Sequence, residues 1–356
     1  SVHHFDLRIW EVVWYCLISL VGMVGNFLVC FVILRSGPAV RNAPFNMLLM
    51  SLAVADFLIA AVVVPNYVLS TSEFDHPRGQ AGERLYKGFT GYVLPFYLAL
   101  VSVYSLVAIS IERLRAVTNP IRAYTTSSSR RTWIIIAAIW LFSALIELPT
   151  VLGIHYSLKD AAVGNFCYYD WKSTWLPAVI YATVFSLQFI VPFFIFTYSF
   201  YKIRKCFASR DQEGEFTSHA TPQQLRRIEK KKRTVRIVLL VIIAFFICWT
   251  PNNVMYFLFQ YAGVGDIEWN STIYQTGVLI AFSNSCINPF LYSFQSEEFR
   301  RYCSKAFSGF SNRVKVRKAS YKLLKDADED QREVSSENAD LSQSTSERVR
   351  AAAYPL

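Results

Sequence analysis

Charge is what this sequence has least of. Asp, Glu, Lys and Arg make up 17% of its 356 residues, against about 25% in soluble domains. Those charges sit in short stretches between long uncharged runs. Histidine is also scarce: His3, His4, His76, His155 and His219 lie in loops or termini by the reading below. No His/Asp/Glu grouping has metal or triad spacing, so nothing here equips an enzyme. Internal repeats and rings of like charge are absent too, which counts against a transporter or channel. The chain opens Ser1-Val2-His3-His4, without an initiator Met or a basic leader, and a longer native N-terminus is expected.

What is abundant is apolar surface, at 53% hydrophobic and 16% aromatic residues. Seven stretches are long enough to cross a bilayer as helices, which needs about 20 residues. They run over 12–34, 45–70, 88–111, 133–154, 175–201, 235–259 and 272–294. Asp56 lies inside the second and Glu147 inside the fourth. The runs are continuous, not short and alternating, so helices are favoured over barrel strands. The expected fold is an all-α membrane protein, a bundle of seven transmembrane helices over 11–295, spanning the plasma membrane and solvated by the lipid bilayer.

Lys and Arg orient it. The connection after span 1 holds Arg35 and Arg41, and that after span 3 holds Arg113, Arg115, Arg122, Arg130 and Arg131. The connection after span 5 holds eleven, from Lys202 to Arg236. The alternate connections are balanced or acidic. The positive-inside rule therefore puts the N-terminus, residues 1–10, outside and the C-tail inside. It also accounts for most of the net charge of +10, which in a soluble protein would hint at nucleic acid; no nucleic-acid partner is expected. Asn270-Ser271-Thr272 is a glycosylation sequon on the expected outer side.

Prolines fall inside six spans, as Pro65, Pro95, Pro149, Pro192, Pro251 and Pro289. Each removes a backbone donor, which suits a bundle that changes shape or holds a pocket. After span 7, Ser296 can cap a helix with Glu297 and Glu298 in its first turn. Phe299, Tyr302, Ala306 and Phe307 follow at helical spacing, so 296–308 reads as an amphipathic helix on the inner leaflet. Cys303 in it is a candidate for palmitoylation or a plain thiol. Residues 309–356 read as a disordered tail, where Ser335, Ser336, Ser342, Ser344, Thr345 and Ser346 could accept phosphate for a basic partner such as arrestin.

One short motif stands in each span: Gly25-Asn26, Leu52-Ala53-Val54-Ala55-Asp56, Glu112-Arg113-Leu114, Trp140, Pro192, Cys248-Trp249-Thr250-Pro251 and Asn288-Pro289-Phe290-Leu291-Tyr292. In this order they resemble the rhodopsin-like class of G-protein-coupled receptors, over about residues 10–307. The resemblance implies a receptor that drives nucleotide exchange on a heterotrimeric G protein. It implies a sodium ion on Asp56, Ser102, Asn284, Ser285 and Asn288, all oxygen donors as a hard cation requires. It implies a switch made of Glu112, Arg113, Val103, Pro192, Phe245, Trp249, Pro251, Asn288, Pro289 and Tyr292. In that switch Glu112 holds Arg113 at rest. A Gα contact is implied at Arg113, Pro120 and Ile121.

The departures are specific. Leu114 replaces the family's tyrosine, and Lys231 stands where some members have a second acid, so basal activity is expected. Phe200 replaces the tyrosine that would partner Tyr292. The family's outer disulfide needs a cysteine at the top of span 3, but Gly88, or Lys87 in a slipped register, stands there. Cys167 is then free or paired with Cys16. Span 7 has no lysine, and Phe282 sits at the opsin position; span 3 has no acid where amine receptors need one, and Pro95 sits there. A peptide, lipid or other small molecule remains. Candidate pocket residues are Tyr67, Phe96, Gln188, Trp249, Asn252, Asn253, Tyr256 and Tyr274. The runs through spans 6 and 7 look most like neuropeptide receptors; a lipid or small-molecule receptor is the alternative.

Overall fold

The computed structural model describes residues 8–68, 93–126, 128–156, 167–169, 175–212, 221–258 and 272–295, together with residues 81, 84 and 304. The chain divides into two units, Ser1–Arg300 and Arg301–Leu356, and the elements below belong to the first. Seven long helices appear in the expected order. Span 1 is Ile9–Arg35, span 2 Pro44–Tyr67, span 3 Val93–Thr118 and span 4 Ser129–Gly153. Span 5 runs Leu176–Phe185, a π-helical turn Ser186–Ile190, then Val191–Gln212. Span 6 is Pro222–Phe257 and span 7 Thr272–Gln295.

Several helices outrun their apolar stretches. Span 6 begins at Pro222, whereas the apolar run begins at 235. Its first turns carry Gln, Arg, Glu and Lys, good helix formers that need no lipid. Hydropathy therefore marks the membrane-embedded part of a helix and not its end. Six spans are long and apolar enough to cross a membrane by composition alone. The seventh is diluted by Gln275, Asn284, Ser285 and Asn288, all of which it buries.

Two elements modify the all-α expectation. Strands β1 (Ile154–Tyr156) and β2 (Cys167–Tyr169) pair antiparallel, Tyr156 opposite Cys167. Three-residue strands carry too little alternation to be read from sequence. Short helices Pro38–Arg41 and Pro120–Thr125 also fill the connections after spans 1 and 3, each opened by a proline at its start.

Spans 2 and 3 form the centre and bury most of their apolar length, while span 5 shows most of its side chains outward. Span 1 packs on spans 2 and 7, and span 3 packs on spans 2, 4 and 5. Gly22 sets the first of these contacts: a Cβ there would lie 2.7 Å from the Cβ of Ala60. Small residues let membrane helices approach closely, where lipid provides no hydrophobic drive.

Span 5 is widened for a reason that can be traced atom by atom. Pro192 has no N–H, and in the π-turn the Val191 N–H goes to the Ser186 carbonyl. The Leu187 carbonyl is thereby left facing proline five residues on. The Tyr104 hydroxyl of span 3 donates to it at 2.8 Å. An orphaned carbonyl in lipid is costly, and a neighbouring helix satisfies this one.

Candidate functional site

A polar core lies halfway through the bundle. Asp56 is fully buried in span 2. Ser102 of span 3 donates to its Oδ1 at 2.8 Å, and Asn288 Nδ2 of span 7 donates to Oδ2 at 2.7 Å. Ser285 adds a further hydrogen bond. Asn284 is buried nearby in span 7, and the Oδ1 atoms of Asn284 and Asn288 accept no hydrogen bond among the described residues. The five residues expected to hold a cation are thus all buried, and four of them are joined directly. The unused amide oxygens are acceptors of the kind a hard cation takes. Asn26 braces the core from span 1, donating to the carbonyls of Gly22 at 2.9 Å and Ser285 at 2.8 Å. Trp140 of span 4 donates to Ser51 Oγ at 3.1 Å, and Ser51 meets Ser105 at 3.4 Å.

An aromatic layer forms beyond this core, toward the end of the bundle opposite Arg113. Trp249 stands 6.0 Å from Phe245, 6.5 Å from Phe96 and 6.3 Å from Phe282, ring centre to ring centre. Phe282 continues to Tyr67 at 5.5 Å, and Tyr67 stacks on Tyr15 at 5.1 Å. Tyr15 closes the chain by donating to Gln275 at 3.0 Å. Phe245 leads the other way, to Phe196 at 6.4 Å and Phe246 at 5.3 Å. Rings thus touch from span 1 to span 5 through spans 2, 7, 3 and 6. Such edge and tilted pairs each add about 0.5–1.5 kcal/mol beyond area burial.

The pocket candidates divide. Tyr67, Phe96 and Trp249 are within this layer. Gln188 is buried in the π-turn, and Tyr274 is buried in span 7. Asn253 spends its Nδ2 on the Trp249 carbonyl at 2.9 Å. Asn252 is buried with its Oδ1 unaccepting among the described residues. The side chain of Tyr256 lies outside the described residues. Glu147 is buried in span 4, where Thr150 donates to it.

Near the C-terminal end of span 3, Glu112 and Arg113 are half-buried. The Arg113 guanidinium lies over the Phe45 ring, 3.7 Å from its centre, a cation–π contact with the start of span 2. Val103, Pro192, Phe245 and Pro289 are buried, while Pro251 is half-buried. Pro120 is exposed and Ile121 is 81% exposed. Phe200 is at the surface with Tyr201 beside it. The side chains of Tyr292 and Lys231 lie outside the described residues, as do Gly88, Asn270, Cys303 and the tail. Cys16 carries a free thiol, which excludes its bridge to Cys167; the Cys167 side chain is outside the described residues.

Sequence reading missed Tyr15, Phe45, Ser51, Tyr104 and Gln275. Ser51 was discoverable, being a polar residue in an apolar run five positions before Asp56. The others are ordinary aromatics or a glutamine whose partners lie far along the chain.

The sequence pattern of the 7 transmembrane receptor (rhodopsin family) matches residues 25–292. The chain belongs to this family. Its members are receptors and multi-pass membrane proteins, not enzymes. Among relatives, the chain is 32% identical over 290 residues to somatostatin receptor type 4 of Rattus norvegicus, covering 81% of this chain and 70% of that one. It is 26% identical over 306 residues to neuropeptide FF receptor 1 of Rattus norvegicus, covering 82% and 69%. It is 27% identical over 300 residues to galanin receptor 2b of Danio rerio, covering 83% and 74%. The receptor's two internal layers therefore belong to a seven-span bundle, and the seventh span is span 7 despite its diluted apolarity.

Proposed function

We propose that this receptor binds an extracellular neuropeptide at the plasma membrane and promotes nucleotide exchange on a heterotrimeric G protein. The observation that carries this reading is the stacking of the two internal layers. The ring layer around Trp249 and Phe282 touches six spans, and the Asp56 core joins spans 2, 3 and 7. A peptide side chain pressing on the rings can therefore move several helices at once. The unused Asn252 acceptor offers a hydrogen bond to a ligand N–H. The names of the relatives, receptors for somatostatin, neuropeptide FF and galanin, support the ligand class.

The remaining parts of the reading follow the same logic. The N-terminus lies outside, so the arginine-rich connections and Ile121 face the G protein. Sodium is held by Asp56, Ser102, Asn284, Ser285 and Asn288 in the resting receptor; the unused amide oxygens support that fit. Bound there, the ion supplies positive charge to a carboxylate otherwise isolated from water. An amphipathic helix over 296–308 rests on the inner leaflet with Cys303 palmitoylated, Asn270 carries a glycan, and the phosphorylated tail recruits arrestin.

The test is nucleotide exchange on purified Gα subtypes by the reconstituted receptor, screened against a neuropeptide library. At least one peptide accelerates exchange on at least one Gα. Silence across the library, with a control receptor active in the same vesicles, would sink the ligand class. Failure of unstimulated and stimulated receptor alike on every Gα would sink the coupling.

A further inference from the structure

Among the described residues, the buried acids are Glu11, Asp56 and Glu147. Two of them have their partners. Glu11 accepts from the Arg8 N–H at 2.8 Å, at the start of its own helix. Asp56 takes hydrogen bonds from Ser102, Ser285 and Asn288. Glu147 of span 4 has Thr150, three residues on in the same helix, and no cation pairs with it among the described residues. An acid inside a membrane helix is costly and marks a functional site by default. Ser143, one turn before Glu147, is fully buried, and its Oγ has no hydrogen-bond partner among the described residues. Ser143, Glu147 and Thr150 share one helix face by their spacing. Leu145, Leu148 and Leu152 are exposed on the opposite face. Span 4 packs on spans 2 and 3 and on Leu176–Phe185, so its buried polar face turns toward those helices. A carboxylate with one donor and a hydroxyl with none lack the same component, a cation rich in N–H groups.

Position selects the cation. Arg115 donates to Thr126 at 3.0 Å, so the end of span 3 lies beside the start of span 4 and the two helices run in opposite directions. Trp140 meets Tyr97, ring centres 6.2 Å apart, and Phe96 beside Tyr97 belongs to the ring layer around Trp249. Glu147 lies two turns past Trp140, about 10 Å farther from Arg113 at 1.5 Å per residue. Gly153 ends the helix, leaving Glu147 about 9 Å short of that end. A side chain entering there must be long. Arg and Lys bury an apolar stem and carry a charged head. A metal ion fits less well, because a hard cation takes about six oxygens and this face offers one carboxylate and two hydroxyls. Residues 93–111, 175–201, 235–257 and 272–294 contain no acid. Glu147 is therefore the carboxylate that the described helices offer at this depth.

We propose that Glu147, with Ser143 and Thr150 beside it, forms the subsite that takes a basic side chain, arginine or lysine, of the receptor's ligand. The subsite rests on the neuropeptide reading, with the ligand entering at the end of the bundle opposite Arg113. The two hydroxyls orient the ion pair. An uncharged analogue leaves the carboxylate buried and unpaired, so the receptor rejects it.

Two probes test this on the full-length purified receptor. The first is n-butylguanidinium beside its uncharged isostere n-butylurea, read as the thermal midpoint in detergent. The guanidinium raises the native midpoint more than the urea does, whereas E147Q responds alike to both. E147D keeps the charge and the difference. E147Q without either probe melts at or above the native midpoint, since it removes an uncompensated buried charge. Equal responses to both probes in the native receptor, or an undiminished difference in E147Q, overturn the subsite whatever the ligand proves to be. The second probe is a set of paired library neuropeptides, Arg or Lys in one member and citrulline or acetyllysine in its twin, read as nucleotide exchange on Gα. In the native receptor the charged member is more potent by about thirtyfold or more, and in E147Q the twins agree within about threefold. A preference that survives in E147Q assigns the charge to another acid and overturns the subsite. A silent library, with a guanidinium shift that depends on Glu147, sinks the neuropeptide reading and supports the subsite for a different cationic ligand.

Discussion

Pro192 shows how one missing hydrogen atom spreads through a bundle. The ring takes away an N–H, the helix widens by one residue, and the Leu187 carbonyl turns to the Tyr104 hydroxyl. Tyr104→Phe removes that donor and leaves the carbonyl without one. We expect a loss of about 1–2 kcal/mol, seen as a lower thermal midpoint in detergent, whereas Tyr198→Phe, on an exposed tyrosine of span 5, leaves the midpoint where it was. An unchanged midpoint for Tyr104→Phe would mean water serves Leu187 equally well. Asp56 makes the second prediction. Asp56→Asn keeps partners for Ser102 and Asn288 but removes the full negative charge. Sodium should lower agonist affinity in the native receptor and have no effect on Asp56→Asn, measured by radioligand competition with and without 100 mM-scale salt replaced by a bulky cation. Sodium sensitivity retained in the variant would remove the ion from Asp56. Both residues stood out in the sequence, as a proline and an acid inside apolar runs. Tyr104 did not, because nothing local distinguishes a tyrosine that reaches another helix from one that faces lipid.

At the scale of elements, spans 1 and 2 depend on the absence of a side chain. A Cβ on Gly22 meets Ala60 at 2.7 Å, while one on Gly25 meets Pro289 at 3.0 Å. Gly22→Ala should therefore destabilise by about 1–3 kcal/mol, and Gly25→Ala by less. Thermal midpoints of the two variants in one detergent check the order, and the reverse order would show that span 1 shifts freely against span 2 but not against span 7. The existence and order of all seven spans were legible, because twenty apolar residues in a row have few other fates. Their ends were not. A helix continues past the membrane wherever the next residues favour it, as the first turns of span 6 do. The two three-residue strands were invisible for a different reason: their pairing is decided across a connection, not within either strand.

For the whole bundle, two buried layers tie the spans together. Rings link Tyr15 to Phe196 across the bundle, and the Asp56 core separately joins spans 2, 3 and 7. Phe282, at the place where opsins carry lysine, is the ring that joins spans 2, 3 and 6. Phe282→Ala should uncouple the layers: agonist-stimulated exchange falls by at least tenfold, about 1.4 kcal/mol, with surface expression above half of native. Stimulated exchange equal to native at full expression would show that the rings only pack. Ile121→Asp tests the inner end. Its side chain is 81% exposed, so the fold has no stake in it, and the thermal midpoint stays put while exchange on Gα drops severalfold or more. A normal exchange rate would place the Gα contact elsewhere.

Composition and run length by themselves marked the long apolar helices, six of which are apolar enough to cross a membrane, since lipid tolerates backbone only in closed hydrogen-bonded forms. Motif order determined the family, because one marked residue per helix survives in linear sequence. Tertiary structure alone decided what those residues touch. Asp56 meets Ser102 and Asn288 from 46 and 232 positions away, and Arg113 rests on Phe45. Arg115, Arg122 and Arg131, which read as scattered positive-inside charges, line one cavity. Helix rotation and packing set such meetings, and neither is written in the spacing of any single helix.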